Sequence, residues 1–227
     1  MEKENQIIMV VKRDKLFGTS NLKDCPQGFL SADIYDFIPE INLYFEWMRR
    51  GNSEIKDTAE SNPDYKQPIA YSVVVNPLLK RIFGYKRAID KSYHESRLAG
   101  NWCWGVGGHV EKIDEISKQA YEIIEKSRDR ELSEEIEIKS KKSPLIKLLG
   151  YINDDSNNVG KVHLGLLYIV ETGANEIFPK DKEISEGNYK SLEELEDICR
   201  RAKDNGSGIK VDSWSEIALP PIRDILR

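Results

Sequence analysis

The stretch Arg130-Glu131-Leu132-Ser133-Glu134-Glu135 decides how this chain is read, together with the run Gly105-Val106-Gly107-Gly108-His109-Val110 upstream of it. An α-helix advances about 100° and about 1.5 Å per residue, so Glu131, Glu134 and Glu135 share one face within about 6 Å of rise. Like charges at these spacings weaken a bare helix by about 0.2–0.5 kcal/mol per pair. A divalent cation reverses that penalty. Hard Mg²⁺ prefers carboxylate oxygens, keeps several waters and is commonly completed by substrate phosphates. A solvated acidic face would explain the carboxylates alone. It would not explain the glycines, and the pair of features points to a Mg²⁺-phosphate enzyme.

The whole chain is compatible with that chemistry. At 227 residues it falls between one and two domains, on a prior of about 150 residues each. Hydrophobic residues at 39% and charged residues at 32% place it among soluble globular proteins. A formal net charge of −5 argues against a sequence-independent nucleic-acid binder, which needs an excess of Lys and Arg, so no nucleic-acid polymer is expected as partner. It leaves a nucleotide substrate open, because a bound cation supplies positive charge locally. Cys25, Cys103 and Cys199 form no C-x-x-C and read as reduced thiols. His94, His109 and His163 are scattered, which argues against a histidine-based transition-metal site. The polar N-terminus leads into too short an apolar run for a signal segment. No apolar stretch approaches the roughly 18 residues of a membrane span. A cytoplasmic protein with no membrane partner is the expectation.

Hydrophobic patterning predicts strands over Ile7–Val11, Tyr71–Asn76, Ile82–Ala88, Asn101–Val110, Leu145–Ile152 and Val162–Val170. It predicts helices over Glu40–Arg50, Glu115–Ile136 and Pro221–Leu226, and one over Leu192–Ala202 that opens on a Ser191/Glu194 capping box. Residues 13–68, rich in Pro, Gly and polar side chains, read as an N-terminal insertion or lid on a single domain. This order suggests an α/β (α+β) fold in which a mixed β-sheet is sandwiched between helices, an α/β/α sandwich.

Gly-Gly-His-Val followed by Arg-Glu-Leu-x-Glu-Glu resembles the Nudix box, the signature of Nudix (MutT-like) hydrolases. In the family pattern a glycine, five residues and a glutamate precede seven residues and Arg-Glu-aliphatic-x-Glu-Glu-x-Gly-aliphatic. Gly108 matches the first glycine, Glu122 the first glutamate, and Arg130 to Ile136 the second half, with Ile138 in the last aliphatic place. There are two departures. Thirteen residues separate Gly108 from Glu122, an eight-residue insertion, and Glu137 stands where the glycine is usual. Further segments, Lys66-Gln67-Pro68-Ile69-Ala70-Tyr71, Gly84-Tyr85-Lys86-Arg87, His163-Leu164-Gly165 and Trp214-Ser215, resemble a bacterial subgroup described as predicted phosphoesterases of the MutT type.

The resemblance implies a single Nudix-like domain over residues 1–227 and hydrolysis of a pyrophosphate bond in a nucleoside diphosphate derivative or similar phosphoanhydride. It implies Mg²⁺, with Mn²⁺ as a substitute, held by Glu131, Glu134, Glu135 and the Gly107 carbonyl. Arg130 would orient the carboxylates through a pair with Glu122, and Glu115 could share the work of that first glutamate. A general base would come from outside the box. Glu171, Glu176, Glu183 and Glu186 are the candidates, Glu186 being favoured because Gly187 follows it. The partner would be a small nucleotide-like molecule, and the protein could be a homodimer.

Other residues carry duller readings. His109 could shuttle a proton or simply fix its loop. Trp102 and Trp104 could stack a base or pack in the core. Tyr85, Lys86 and Arg87 could reach a phosphate or mark a basic edge strand. Two other functions compete. An isoprenoid-diphosphate isomerase would need a reactive cysteine, for which Cys103 is the candidate. A sensor of nucleotide or ADP-ribose would show eroded carboxylates, whereas Glu131, Glu134 and Glu135 are intact.

Overall fold

The computed structural model describes residues 3–19, 21–89, 98–204 and 206–226, and His94 lies outside them. The first half of the chain forms β1 (Ile7–Lys12), α1 (Arg13–Phe17), β2 (Gly28–Ser31), α2 (Ile38–Tyr44), β3 (Phe45–Arg49), β4 (Tyr65–Asn76), β5 (Arg81–Arg87), β6 (Trp102–Cys103) and β7 (Gly105–Val106). The second half forms α3 (Ala120–Glu135), β8 (Ile136–Ile138), β9 (Leu145–Asn153), β10 (His163–Glu171), β11 (Ile177–Pro179), β12 (Ile184–Lys190), α4 (Leu192–Ala202) and α5 (Ser213–Leu226). The fold is thus α/β with a large sheet, as the sequence suggested. Two compact units divide it. One comprises Met1–Tyr71, Gly107–Arg130 and Leu149–Leu167; the other comprises Ser72–Val106, Glu131–Leu148 and Tyr168–Arg227.

In the first unit the β-branched run of β1 pairs antiparallel with β3 (Met9 opposite Trp47) and with the start of β4 (Val11 opposite Lys66). Ile8, Val10 and Ala59 form a small core there, covered by Met48 and Tyr65. Strand β2 pairs with the end of β9, Gly28 opposite Asn153. Residues 13–68 are built into this unit. Arg13 is 1% and Lys66 0% exposed, and both reach the Asp155 carboxylate.

In the second unit β5 pairs antiparallel with β12 (Phe83 opposite Tyr189), with β6 (Tyr85 opposite Cys103) and with the end of β4 (Ile82 opposite Val75). Strand β7 pairs with β4, and β8 pairs with β11. The core gathers Val74, Phe83, Tyr85, Cys103, Val106, Leu132, Ile136, Val170, Ile177 and Ile184.

Several expected elements change. The helix expected over Glu40–Arg50 stops at Tyr44, because residues 45–49 satisfy their backbone groups against β1 as a strand. Phe45 and Trp47 then share a face at 5.9 Å in a T-shaped contact. The last helix begins at Ser213, well before Pro221, and carries Pro220 and Pro221 inside it. Asn101–Val110 is two short strands, and β12 was not foreseen because its Ser-Glu-Gly-Asn centre has no strand pattern. Helix α4 and its capping box match the expectation: Ser191 N–H donates to Glu194 Oε2 at 2.6 Å, and Glu194 N–H to Ser191 Oγ at 3.2 Å.

Candidate active site

Helix α3 begins at Ala120, five residues later than expected, where the Ala120 N–H donates to Asn42 Oδ1 at 2.7 Å. The insertion is therefore loop, not helix. It contains a 3-10 turn, Lys112–Asp114, closed by the Glu111 N–H donating to Asp114 Oδ2 at 2.9 Å. Asp114 is 1% exposed, and Arg130 forks onto it with Nε–Oδ1 and Nη2–Oδ2 both 2.8 Å. Arg130 also donates to the His109 carbonyl at 3.1 Å. The expected partner was Glu122. Eight residues along one helix is about 12 Å, too far for an ion pair, and Glu122 instead accepts from the Tyr121 hydroxyl at 3.0 Å. Glu115 is occupied by Lys112 at 2.6 Å and Trp47 Nε1 at 3.1 Å. Gly107 is required by close approach: a Cβ there would lie 2.1 Å from the Ala70 carbonyl oxygen of β4.

Gly107 and Arg130 belong to the first unit; Glu131, Glu134 and Glu135 belong to the second. Glu131 and Glu135 are partly buried, whereas Glu134 is exposed. Burial pushes the Glu135 carboxyl up to about 8, with Arg87 opposing and the negative charges of Glu131, Asp181 and Glu183 adding to the rise. The Glu135 carbonyl accepts from the backbone N–H of Lys180 at 2.8 Å and of Asp181 at 3.3 Å, which ends the helix and holds Asp181 at its last turn. Glu137 needs no glycine's freedom because it is already in β8, opposite Phe178.

The candidate bases separate. Glu183 belongs to the field around Glu135. Glu186 is exposed on β12 opposite Lys86, Glu176 is exposed before β11, and Glu171 ends β10. Crowded carboxylates of this kind suit a hard divalent cation, so the residues present fit Mg²⁺.

Around them, Arg87 Nε donates to Cys103 Sγ at 3.2 Å. Cys103 is fully buried, and burial pushes its thiol up to about 12, which removes the nucleophile that an isomerase reading needs. Trp104 is 0% exposed and its Nε1 donates to the Ser215 carbonyl at 2.7 Å, so it packs and does not stack a base. Tyr85 is also core, its hydroxyl donating to the Gly105 carbonyl at 2.7 Å.

The first unit brings together two histidines that looked scattered. His109 Nε2 lies 3.2 Å from His163 Nε2, 2.8 Å from Gln67 Oε1 and 3.5 Å from Glu60 Oε1. Burial, then the charge of Arg50, pushes His109 down to about 3, and burial also lowers His163. Against the effect of burial, the hydrogen bond with His109 and the neighbouring charges hold Glu60 below the usual carboxylate range. No spacing rule links residues 60, 67, 109 and 163, and none links Asp114 to Arg130. The turn chemistry of Glu111 and Asp114 was the one local signal available.

No family model matches the chain. Protein YmaB of Bacillus subtilis (strain 168) is 33% identical over 225 residues, which covers 96% of this chain and 98% of that protein. The crystal structure of Tm1382, a candidate Nudix hydrolase, superposes with a TM-score of 0.69 at 25% identity, covering 97% of this chain and 100% of that one. A Nudix hydrolase from Alicyclobacillus acidocaldarius shares the fold, at a TM-score of 0.50 and 11% identity over 69% of this chain and 90% of that one. The full-length likeness to Tm1382 agrees with the box helix and its carboxylates: the chain belongs to the Nudix fold family, with YmaB as a relative over its whole length.

Proposed function

We propose that the protein is a Mg²⁺-dependent Nudix pyrophosphohydrolase acting on a nucleoside diphosphate derivative or similar small phosphoanhydride. What supports this most is the face of α3 that carries Glu131, Glu134 and Glu135, at whose end Asp181 is held by the Glu135 carbonyl, in a chain of this fold family. Glu131 and Glu135 would hold the ion, with the exposed Glu134 beside them. Bound there, Mg²⁺ (or Mn²⁺) neutralises phosphate oxygens and lowers the pKa of water.

The residues of the chain supply the rest. Glu183 takes the place of Glu186 as the favoured general base, because it belongs to the field around Glu135. It would remove a proton from the attacking water as the new oxygen–phosphorus bond forms and the bridging P–O bond breaks. Arg87, whose positive charge acts on Glu135, would hold a phosphate oxygen while Cys103 fixes its guanidinium. Arg130 orients the box by its fork on Asp114. The whole chain acts as one Nudix-like domain, of which residues 13–68 are part.

Incubation with a panel of nucleoside diphosphate derivatives, with and without Mg²⁺, tests this reading. Hydrolysis is expected only with the ion, and Glu183→Gln should slow it by about 10²–10⁴-fold, the range for a general base. Glu186→Gln should leave it nearly unchanged. Tight binding without turnover across the panel would favour a sensor instead.

A further inference from the structure

The cluster at residues 60, 67, 109 and 163 has a chemistry of its own. Glu60 is 7%, Gln67 0% and His163 5% exposed, and His109 faces all three. The His163 Nδ1 lies 2.7 Å from the Val159 carbonyl, which only accepts, so that nitrogen carries the proton in the neutral ring. Its Nε2 then presents a lone pair toward His109. Gln67 Nε2 donates to the Ala59 carbonyl at 3.0 Å, which turns Oε1 toward His109. Three acceptor atoms therefore surround His109 Nε2, which has one proton at most to offer. A cation placed among these atoms would be bound by all of them at once.

We propose that Glu60, His109 and His163 form a binding site for a first-row divalent metal ion of the zinc type, with Gln67 alongside. The side chains are the borderline ligands such ions take, and imidazole discriminates against Mg²⁺. Tetrahedral bonds of 2.0–2.1 Å set ligand atoms about 3.3 Å apart. The observed separations are 3.2 Å between the two Nε2 atoms and 3.5 Å between His109 Nε2 and Glu60 Oε1. All three ligand atoms lie within 4.8 Å of one another. The second requirement, partners that orient the ligands, is also met. Val159 fixes the His163 ring, and Arg50 Nε lies 3.4 Å from Glu60 Oε1. Because the guanidinium shares that carboxylate, a purely electrostatic ion gains least here and an ion bound through nitrogen gains most. The ligands come from the 3-10 turn Ala59–Ser61, the segment after β7 and the start of β10. A metal would therefore cross-link three separate segments of the first unit. This site is distinct in composition from the carboxylates of α3.

Cobalt(II) titration of the chelator-stripped full chain tests the proposal, in a Glu131→Gln/Glu135→Gln background that removes the ligands on α3. One equivalent should bind, with a visible d–d band of a four- or five-coordinate nitrogen-ligated ion and a raised melting temperature. Zinc-edge absorption should show two imidazoles. His163→Gln and Glu60→Gln should each weaken binding by on the order of a hundredfold or more. Circular dichroism shows which variants remain folded, and if His163→Gln unfolds, Glu60→Gln decides. Absence of stoichiometric binding by the folded protein, or binding unchanged in Glu60→Gln, would overturn the site and leave a hydrogen-bonded network only.

Discussion

Burial drives the Glu135 carboxyl and the Cys103 thiol the same way, toward their neutral forms, and their surroundings make the difference between them. The negative charges of Glu131, Asp181 and Glu183 add to the rise at Glu135, and the proposed divalent ion would offset them. Cys103 has no such relief, being enclosed in the core with its sulfur accepting from Arg87. Native protein at pH 8 should therefore leave Cys103 unmodified by iodoacetamide over a period that fully alkylates the denatured chain, as peptide mass spectrometry would show. Rapid labelling of Cys103 in the folded protein would revive a nucleophilic role for it. Asp114 makes a second test. It fixes Arg130, next to Glu131 on α3. Asp114→Asn should cost about 10–100-fold in activity, with a weaker half-saturation by Mg²⁺. A variant that only loses stability, at unchanged Mg²⁺ dependence, would make Asp114 purely structural.

Helix α3 shows how far its sequence could be read. The face bearing Glu131, Glu134 and Glu135 follows from helical geometry, and Ser191/Glu194 announces α4 equally plainly, because both signals lie within one turn. The start of α3 was not legible. Its first N–H is satisfied by Asn42, 78 residues away. The partner of Arg130 was hidden for the same reason, since Asp114 sits in an insertion that the family pattern lacks. Strand β3 defeats local reading in another way: Phe45, Trp47 and Met48 suit a helix or a strand, and the pairing with β1 decides. The histidine cluster is the extreme case, its four side chains brought together only by tertiary structure. Asn42→Ala is a prediction at this scale. Loss of the cap should lower stability by about 0.5–2 kcal/mol in urea titration, and an unchanged midpoint would show that Asn42 does not cap α3.

Across the molecule the buried charges of the first unit tie distant segments together. Asp155 receives Arg13 at 3.0 and 3.2 Å, Lys66 at 2.8 Å and Gln27 at 2.8 Å. Asp155→Asn would strand two buried cations and should destabilise the chain by about 3–5 kcal/mol. Burial pushes the Lys66 ammonium down to about 8, with Asp155 opposing. The unfolded chain, near the ordinary lysine value of 10.5, then binds more protons than the folded one between about pH 8 and 10.5. Stability from this group must rise with pH across that window. The wild-type chain should gain on Lys66→Met as the pH is raised from 8 to 10.5, and a constant difference would contradict the shift. The proposed activity depends above all on the α3 carboxylates. It is tested most directly by kcat/KM for the best phosphoanhydride substrate at saturating Mg²⁺, wild type against Glu135→Gln. A loss of about 10²–10³-fold or more is expected in the variant, with no turnover by the wild type without the ion; equal activity of the two proteins would rule out a metal-holding role for Glu135.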